Sequence, residues 1–150
     1  MTLLSTTSLS GASVTISNIS QDYTELLVLI NNANVSGVGG YQIFVRPNNS
    51  TNSSGASQEA QNNGDYSNDS IKLSVNGGSP TSPQSHQLRF PNYAATDARK
   101  TFITAGIQST GLGCISGGGI ASNSAITSLV IIPTGSQSFN AGTVLIYGVK

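Results

Sequence analysis

The chain has 150 residues, and its six Lys and Arg balance six Asp and Glu, so that 8 % of its residues are charged, where a soluble domain has about 25 %. Such a chain lacks both the basic stripe that neutralises the phosphates of nucleic acid and the basic cluster that attaches to an anionic membrane. Its one cysteine, Cys114, excludes an intrachain disulfide and a cysteine-rich zinc site.

Hydrophobic residues recur with a period of two, which is typical of β-strands rather than helices. Tyr41, Ile43 and Val45, for example, share one face of such a segment. Clusters of Gly, Asn, Ser and Pro separate the segments, as expected of turns. The pattern predicts strands near residues 2–9, 13–19, 23–30, 41–46, 69–75, 86–90, 99–108, 125–132 and 142–149.

Three of these predicted strands carry further information. Residues 26–30 and 129–132 are apolar on both faces, so we expect these strands to be central or covered on both sides. The strand predicted at 99–108 alternates, with Ile103 and Ile107 on one face and Phe102 on the other. Such alternation places one face in a core and the other in water or against a neighbouring protein.

Eight or nine short strands predict an all-β fold over residues 1–150, a single-domain β-sandwich that is jelly-roll-like and has long polar loops. A domain of this length buries roughly 70 % of the surface of its unfolded chain, so it needs no disulfide to fold.

Two long polar loops are predicted at residues 47–68 and 109–124, because both are rich in Ser, Asn and Gly. Loops of this length in a compact domain are usually functional or disordered. A polar loop that cannot pack its own core needs another surface, such as a neighbouring subunit, to order it. We therefore expect protein contacts in these loops, represented by Asn52, Gln58, Leu112 and Ile115.

The sequence offers little for catalysis. His86 is the sole histidine, and Ser85 beside it is expected to point to the opposite face of the strand. The glycine-rich segment 111–119 is not followed by a helix-forming stretch, as a phosphate-binding loop would be. We therefore expect no enzyme activity, no catalytic residue, no metal ion and no cofactor.

Sugar binding is an alternative that the composition leaves open. Tyrosine rings stack on sugars, and side-chain amides bind sugar hydroxyls. The five tyrosines, together with the Asn-rich loops, are the residues that would form such a surface: Tyr23, Tyr41, Tyr66, Tyr93 and Tyr147.

Two segments resemble small virion structural proteins of tailed phages, cyanophages among them. The first is ISQDYTELLVL at residues 19–29, which is similar to a family pattern I-x-Q-x-Y-T-x-L-x-L. The second is FNAGTVLIYGVK at residues 139–150, which is similar to F-x-A-G-[ST]-x-x-x-[LI]-Y-G-[IV]-K. Together they cover about a seventh of the chain, and they are structural rather than catalytic signatures.

The resemblance implies a β-sandwich displayed on a virion, commonly as a homo-trimer. Such domains are head decoration (cement) proteins or tips of tail fibres and spikes. The strand pattern starts within the first ten residues and ends at Val149, which leaves no room for an anchor or a shaft of repeats. We therefore expect a cement protein on the outer surface of the capsid, assembled in the host cytoplasm and bound to the major capsid protein. The alternatives are a receptor-binding tail tip that binds glycan or host surface, and a free-standing lectin-like module.

Overall fold

The computed structural model describes residues 1–37, 40–51, 53–59, 62–67, 70–73, 82–107 and 113–150, with the backbone alone for residues 53–59 and 62–67. These residues form twelve β-strands. In chain order the strands are β1 (Thr2–Ser8), β2 (Val14–Ile16), β3 (Glu25–Ser36), β4 (Ile43–Pro47), β5 (Ser53–Glu59), β6 (Asn62–Ser67), β7 (Ile71–Lys72), β8 (Gln84–Pro91), β9 (Lys100–Ile107), β10 (Gly113–Ile120), β11 (Leu129–Pro133) and β12 (Ser138–Val149). Among the described residues, no helix is long and apolar enough to cross a membrane.

The strands form two antiparallel sheets. The large sheet has the order β1-β12-β3-β8-β9-β10-β5-β6, and the small sheet has the order β2-β11-β4-β7. As the apolar runs predicted, β3 is central in the large sheet and β11 in the small one. The all-β sandwich expected from the sequence is confirmed.

Eight of the strands pair as in a jelly roll, where a long hairpin is rolled so that its first strand pairs with its last. β1 pairs with β12, β2 with β11, β3 with β8 and β4 with β7. Two further hairpins are inserted into this pattern, β5–β6 between β4 and β7, and β9–β10 between β8 and β11. They join the large sheet beyond β8, and we call these four strands the sheet extension.

The core lies between the two sheets of the jelly roll. Alternate residues of each strand face it, because side chains of a strand point to opposite faces in turn. Burying one large aliphatic side chain contributes roughly 1.5–3 kcal/mol. The main inward residues of the large sheet are Leu26, Val28, Ile30, Leu88, Phe90, Val144 and Ile146, and those of the small sheet are Val14, Ile16, Ile43, Val45, Ile71, Leu129 and Ile131.

The prediction of two long polar loops is wrong in part. Within residues 47–68 the backbone forms β5 and β6, and within residues 109–124 it forms β10. The pairing is regular: β10 pairs with β9 from Gly113 to Ile120, and with β5 from Cys114 to Ile120. A strand can pair with an existing sheet edge through backbone hydrogen bonds alone, without apolar side chains. These strands therefore lack the alternation of apolar residues from which strands are predicted.

Several predicted strand bounds are also wrong. β3 continues to Ser36, past the predicted end at residue 30, and β12 begins at Ser138 rather than 142. Both added stretches contain irregular registers that break the alternation, including one on each side of Ala141. There, Gly142 adopts a φ of +119°, a conformation that residues with a side chain rarely adopt. A β-bulge of this kind hides a strand from a search for strict alternation.

Candidate functional site

The outer face of β9 and β10 carries large apolar side chains in solvent. Ile103, Ile107 and Ile115 are 57 %, 50 % and 64 % exposed. Ile115 is directly opposite Ala105 in the register, and Ile107 is opposite Gly113. Cross-strand partners of this kind lie about 5 Å apart. We call Ile103, Ala105, Ile107 and Ile115 the isoleucine patch.

Partly exposed apolar residues recur in the middle of the large sheet, separated from the isoleucine patch by the polar residue Gln87. Gln87 on β8 lies between Ala105 and Leu29, its register partners on either side. On the far side of β3, Leu29 is opposite Leu145 of β12. The outer face of this sheet therefore has two apolar parts, the isoleucine patch and the Leu29–Leu145 pair, with the polar outward residues of β8 between them. An exposed apolar patch is typical of a site that another macromolecule covers.

One ion pair lies at the border of this surface. Arg89, which is opposite Ile103 in the register, donates from Nη2 to Glu25 Oε2 at 2.9 Å, and its Nε also contacts Glu25 Oε1. The hydrogen bond with Glu25 and its charge raise the pKa of Arg89. Because the two charges offset each other, the surface beside the isoleucine patch carries little net field.

The inner face of the same strands is polar, which inverts the usual arrangement. Thr104 is 1 % exposed, Cys114 2 % and Ser116 5 %. In the jelly-roll part of the large sheet, most buried positions are aliphatic or aromatic, with Gln84 and His86 of β8 as exceptions, and the outer positions are mixed. In β9 and β10, most large aliphatic side chains are outside, although Phe102 and Ile120 are buried.

His86 and Cys114 lie in one cross-strand row with Gly106 between them. Gly106 is the register partner of His86 on β8 and of Cys114 on β10. A methyl group at Gly106 would overlap the imidazole of His86, so the glycine leaves the space that the ring occupies. The resulting distance between His86 Nδ1 and Cys114 Sγ is 3.9 Å.

The geometry gives this pair a neutral, buried state. His86 Nε2 donates to Gln84 Oε1 at 3.0 Å, and the Cys114 thiol donates to the carbonyl of Leu73 at 3.0 Å. Burial lowers the pKa of His86 to about 4. A nucleophilic cysteine needs a thiolate and access to substrate, whereas His86 is 4 % and Cys114 2 % exposed. The arrangement packs and fixes the strands and does not present a nucleophile.

The predicted contact residues fall in two groups. Ile115 is the most exposed member of the isoleucine patch, and Gln58 on β5 is its direct register partner. The structure therefore brings these two residues together. Asn52 and Leu112 lie outside the described residues. No observation tests whether any of the four touches a partner.

Ile103 and Ile107 belong to the site, but the sequence reasoning did not select them. Their signal was present, because both occupy one face of the alternating strand at 99–108. Alternation shows that a strand has two unlike faces without showing which one is buried. The core face turned out to be that of Phe102, which is 2 % exposed.

Two of the five tyrosines considered for a sugar-binding surface lie in the core, while Tyr23 and Tyr147 are partly exposed and the side chain of Tyr66 is outside the described residues. Tyr41 and Tyr93 are fully buried. The Tyr41 hydroxyl donates to the carbonyl of Ala33 at 2.8 Å, and the Tyr93 hydroxyl donates to the carbonyl of Ser20. Burial raises the pKa of Tyr41 to about 12. Rings that pack in the core cannot stack on a sugar.

No protein-family model matches the chain, and no curated protein is significantly similar to it. Among the residues that the structure describes, no three His, Cys, Asp or Glu side chains are grouped as a metal site would require. A functional assignment therefore depends on the surface chemistry and the fold.

Proposed function

We propose that this chain is a virion structural protein of a tailed phage, and specifically a cement protein that binds the outer surface of the capsid and stabilises the head. It does so by contact through the isoleucine patch and without catalysis. The observation that carries this proposal is the exposure of three isoleucines on adjacent strands, at 57 %, 50 % and 64 %. A soluble domain gains nothing from such a surface unless a partner covers it.

The phage resemblance supports the proposal at the level of the fold. Its two segments, residues 19–29 and 139–150, contribute β3 and β12, which are paired neighbours in the large sheet. These segments carry inward residues such as Leu26 and Ile146. They therefore specify the sandwich, while the contact surface lies on strands that the resemblance does not cover.

The energetics favour several copies acting together. Covering the exposed parts of three isoleucines contributes on the order of 3–5 kcal/mol, whereas association costs about 4–15 kcal/mol. One patch alone is therefore too small to hold one copy on a shell. A homo-trimer would apply three patches at once, and linked contacts bind far more tightly than one.

Binding to heads tests the proposal directly. Heads assembled without the protein are mixed with the purified chain or with the variant Ile115→Asn and sedimented. Because the substitution places an amide on the contact surface, we expect Ile115→Asn to lose binding and the protection of heads against heating. Leu3→Asn is the matched control: Leu3 is 51 % exposed on β1, with three strands of the same sheet between β1 and β9.

Leu3→Asn should bind and protect like the unaltered chain. Heads that are equally heat-resistant with and without the protein would contradict the cement assignment. Equal binding by Ile115→Asn and the unaltered chain would contradict the assignment of the patch. Immunogold labelling of intact particles distinguishes a cement protein from a receptor-binding tip, because the label would lie on the head in the first case and on the tail in the second.

A further inference from the structure

A polar cleft lies at one end of the sandwich and shares no lining residue with the isoleucine patch. It is formed by the segment that follows β3 and by the turn that joins β11 to β12. Its volume is about 360 Å³, within the range of small-molecule sites, which is about 300–1,000 Å³. Its lining residues are Ser36, Gly37, Gly40, Thr134, Gly135, Ser136 and Gln137.

The walls of this cleft are fixed by hydrogen bonds that leave polar groups available. Thr134 Oγ1 accepts from the backbone N–H of Gln42 at 3.0 Å, so its own hydroxyl proton remains to be donated. Ser36 Oγ donates to the carbonyl of Ser138 at 3.2 Å, so its lone pairs remain to accept. The cleft thus offers both a hydroxyl donor and a hydroxyl acceptor.

Gln137 adds a hydrogen-bond acceptor that has no donor. Its Oε1 is buried and finds no hydrogen-bond donor among the described residues. A buried polar atom without a partner is costly and calls for an explanation. The terminal torsion of a glutamine is soft, and Oε1 loses no hydrogen bond when it turns. Gln137 Oε1 can therefore turn, at little cost in free energy, to accept a hydrogen bond from a donor that enters the cleft.

The chemistry of the lining selects the ligand. Among the described lining residues no side chain is charged or aromatic, so an ion would lack a counter-charge and an apolar ligand would lack a contact surface. Hydroxyl groups both donate and accept, which matches the free groups of Ser36, Thr134 and Gln137. We propose that this cleft binds a neutral sugar, with Gln137 Oε1 accepting from a sugar hydroxyl.

Titration by two-dimensional NMR tests this inference on the full chain. The probes are the methyl glycosides of glucose, galactose, mannose and N-acetylglucosamine, each raised to about 100 mM, because a small polar site binds in the millimolar range. We expect at least one probe to shift the amide signals of Gly37, Gly135 and Ser136 saturably. Absence of a saturable shift with all four probes, or shifts confined to other residues, would overturn the proposal.

Three variants sharpen the assignment, one of them a control. Gln137→Met keeps the length of the side chain and removes the acceptor, so it should weaken binding about five- to tenfold. Gln87→Met, an exposed position on β8, is the matched control and should bind like the unaltered chain. Ser136→Trp, at an exposed residue of the cleft, should block binding and covers the case in which Gln137→Met misfolds. Equal sugar affinity in all three variants would contradict the site.

The cleft and the capsid contact are separable. Gln137→Met should retain full binding to phage heads, and Ile115→Asn should retain sugar binding. Failure of the sugar titration would therefore leave the cement assignment untouched, and failure of the head-binding experiment would leave the cleft untouched.

Discussion

The jelly-roll part and the extension of the large sheet share a backbone geometry but differ in where their large aliphatic side chains lie. In β3, the inward residues Leu26, Val28 and Ile30 are fully buried against the small sheet. In β9 and β10, polar Thr104 and Ser116 join Phe102 and Ile120 at buried positions, while three large isoleucine side chains remain exposed on the outer face. Exposed apolar side chains on the outer face of a sheet are suited to contact with another macromolecule.

The largest expected effect comes from two adjacent residues of β9. Phe102→Ala removes a ring that is 2 % exposed and should lower the free energy of unfolding by about 3–5 kcal/mol, through lost burial and a cavity. Ile103→Ala, on the opposite face, should change it by less than about 0.5 kcal/mol. Chemical denaturation of the two variants measures both values, and similar losses would show that the outer face is covered within the chain.

Acid should lower the free energy of unfolding, because His86 is buried on the inner face of the large sheet. Burial lowers the pKa of His86 from 6.5 to about 4, so the unfolded chain binds a proton at a higher pH than the folded chain does. The contribution of neutral His86 is complete above pH 6.5 and is lost progressively as the pH falls towards 4.

Between pH 7 and pH 5 this loss amounts to about 2 kcal/mol. His86→Gln removes the titration, whereas the carboxylates titrate equally in both proteins. The difference in unfolding free energy between the two should therefore shrink by that amount as the pH falls. A difference that stays constant with pH would contradict a buried, neutral His86.

Two glycines of the extension provide a smaller contrast. Gly106→Ala places a methyl group against the imidazole of His86 and should cost about 1–3 kcal/mol by overpacking. Gly117→Ala on β10 meets the backbone oxygen of Phe102 at 3.6 Å, an ordinary contact, and should have little effect. Thermal unfolding compares the two variants, and equal midpoints would indicate that the His86 ring is free to move away.

The sequence predicts the jelly-roll part better than the extension, for a physical reason. β3 and β11 were recognisable because interior strands of a sheet carry unbroken apolar runs, as at residues 26–30 and 129–132. β10 reads GCISGGGI, and glycines lack the side chains that reveal a strand. Its pairing with β9 is fixed by backbone hydrogen bonds, which leave no trace in hydrophobicity.

The site was predictable in part. Ile115 was selected as an isolated apolar residue in a polar segment, and the structure leaves it 64 % exposed. Ile103 and Ile107 could not be separated from core residues, because their strand alternates as a core strand does. The polar cleft was not foreseen either, since Ser36 and Gln137 lie about a hundred residues apart and meet only after the sandwich forms.

Thiol labelling on assembled particles tests most directly whether the isoleucine patch is covered. Ile103→Cys and Leu3→Cys each add one exposed thiol, whereas the native Cys114 is 2 % exposed and should react slowly. In the free protein both new thiols should react with maleimide at similar rates. On heads, we expect the thiol at position 103 to be protected at least about tenfold while that at position 3 stays reactive; equal reactivity of both on heads would contradict the account.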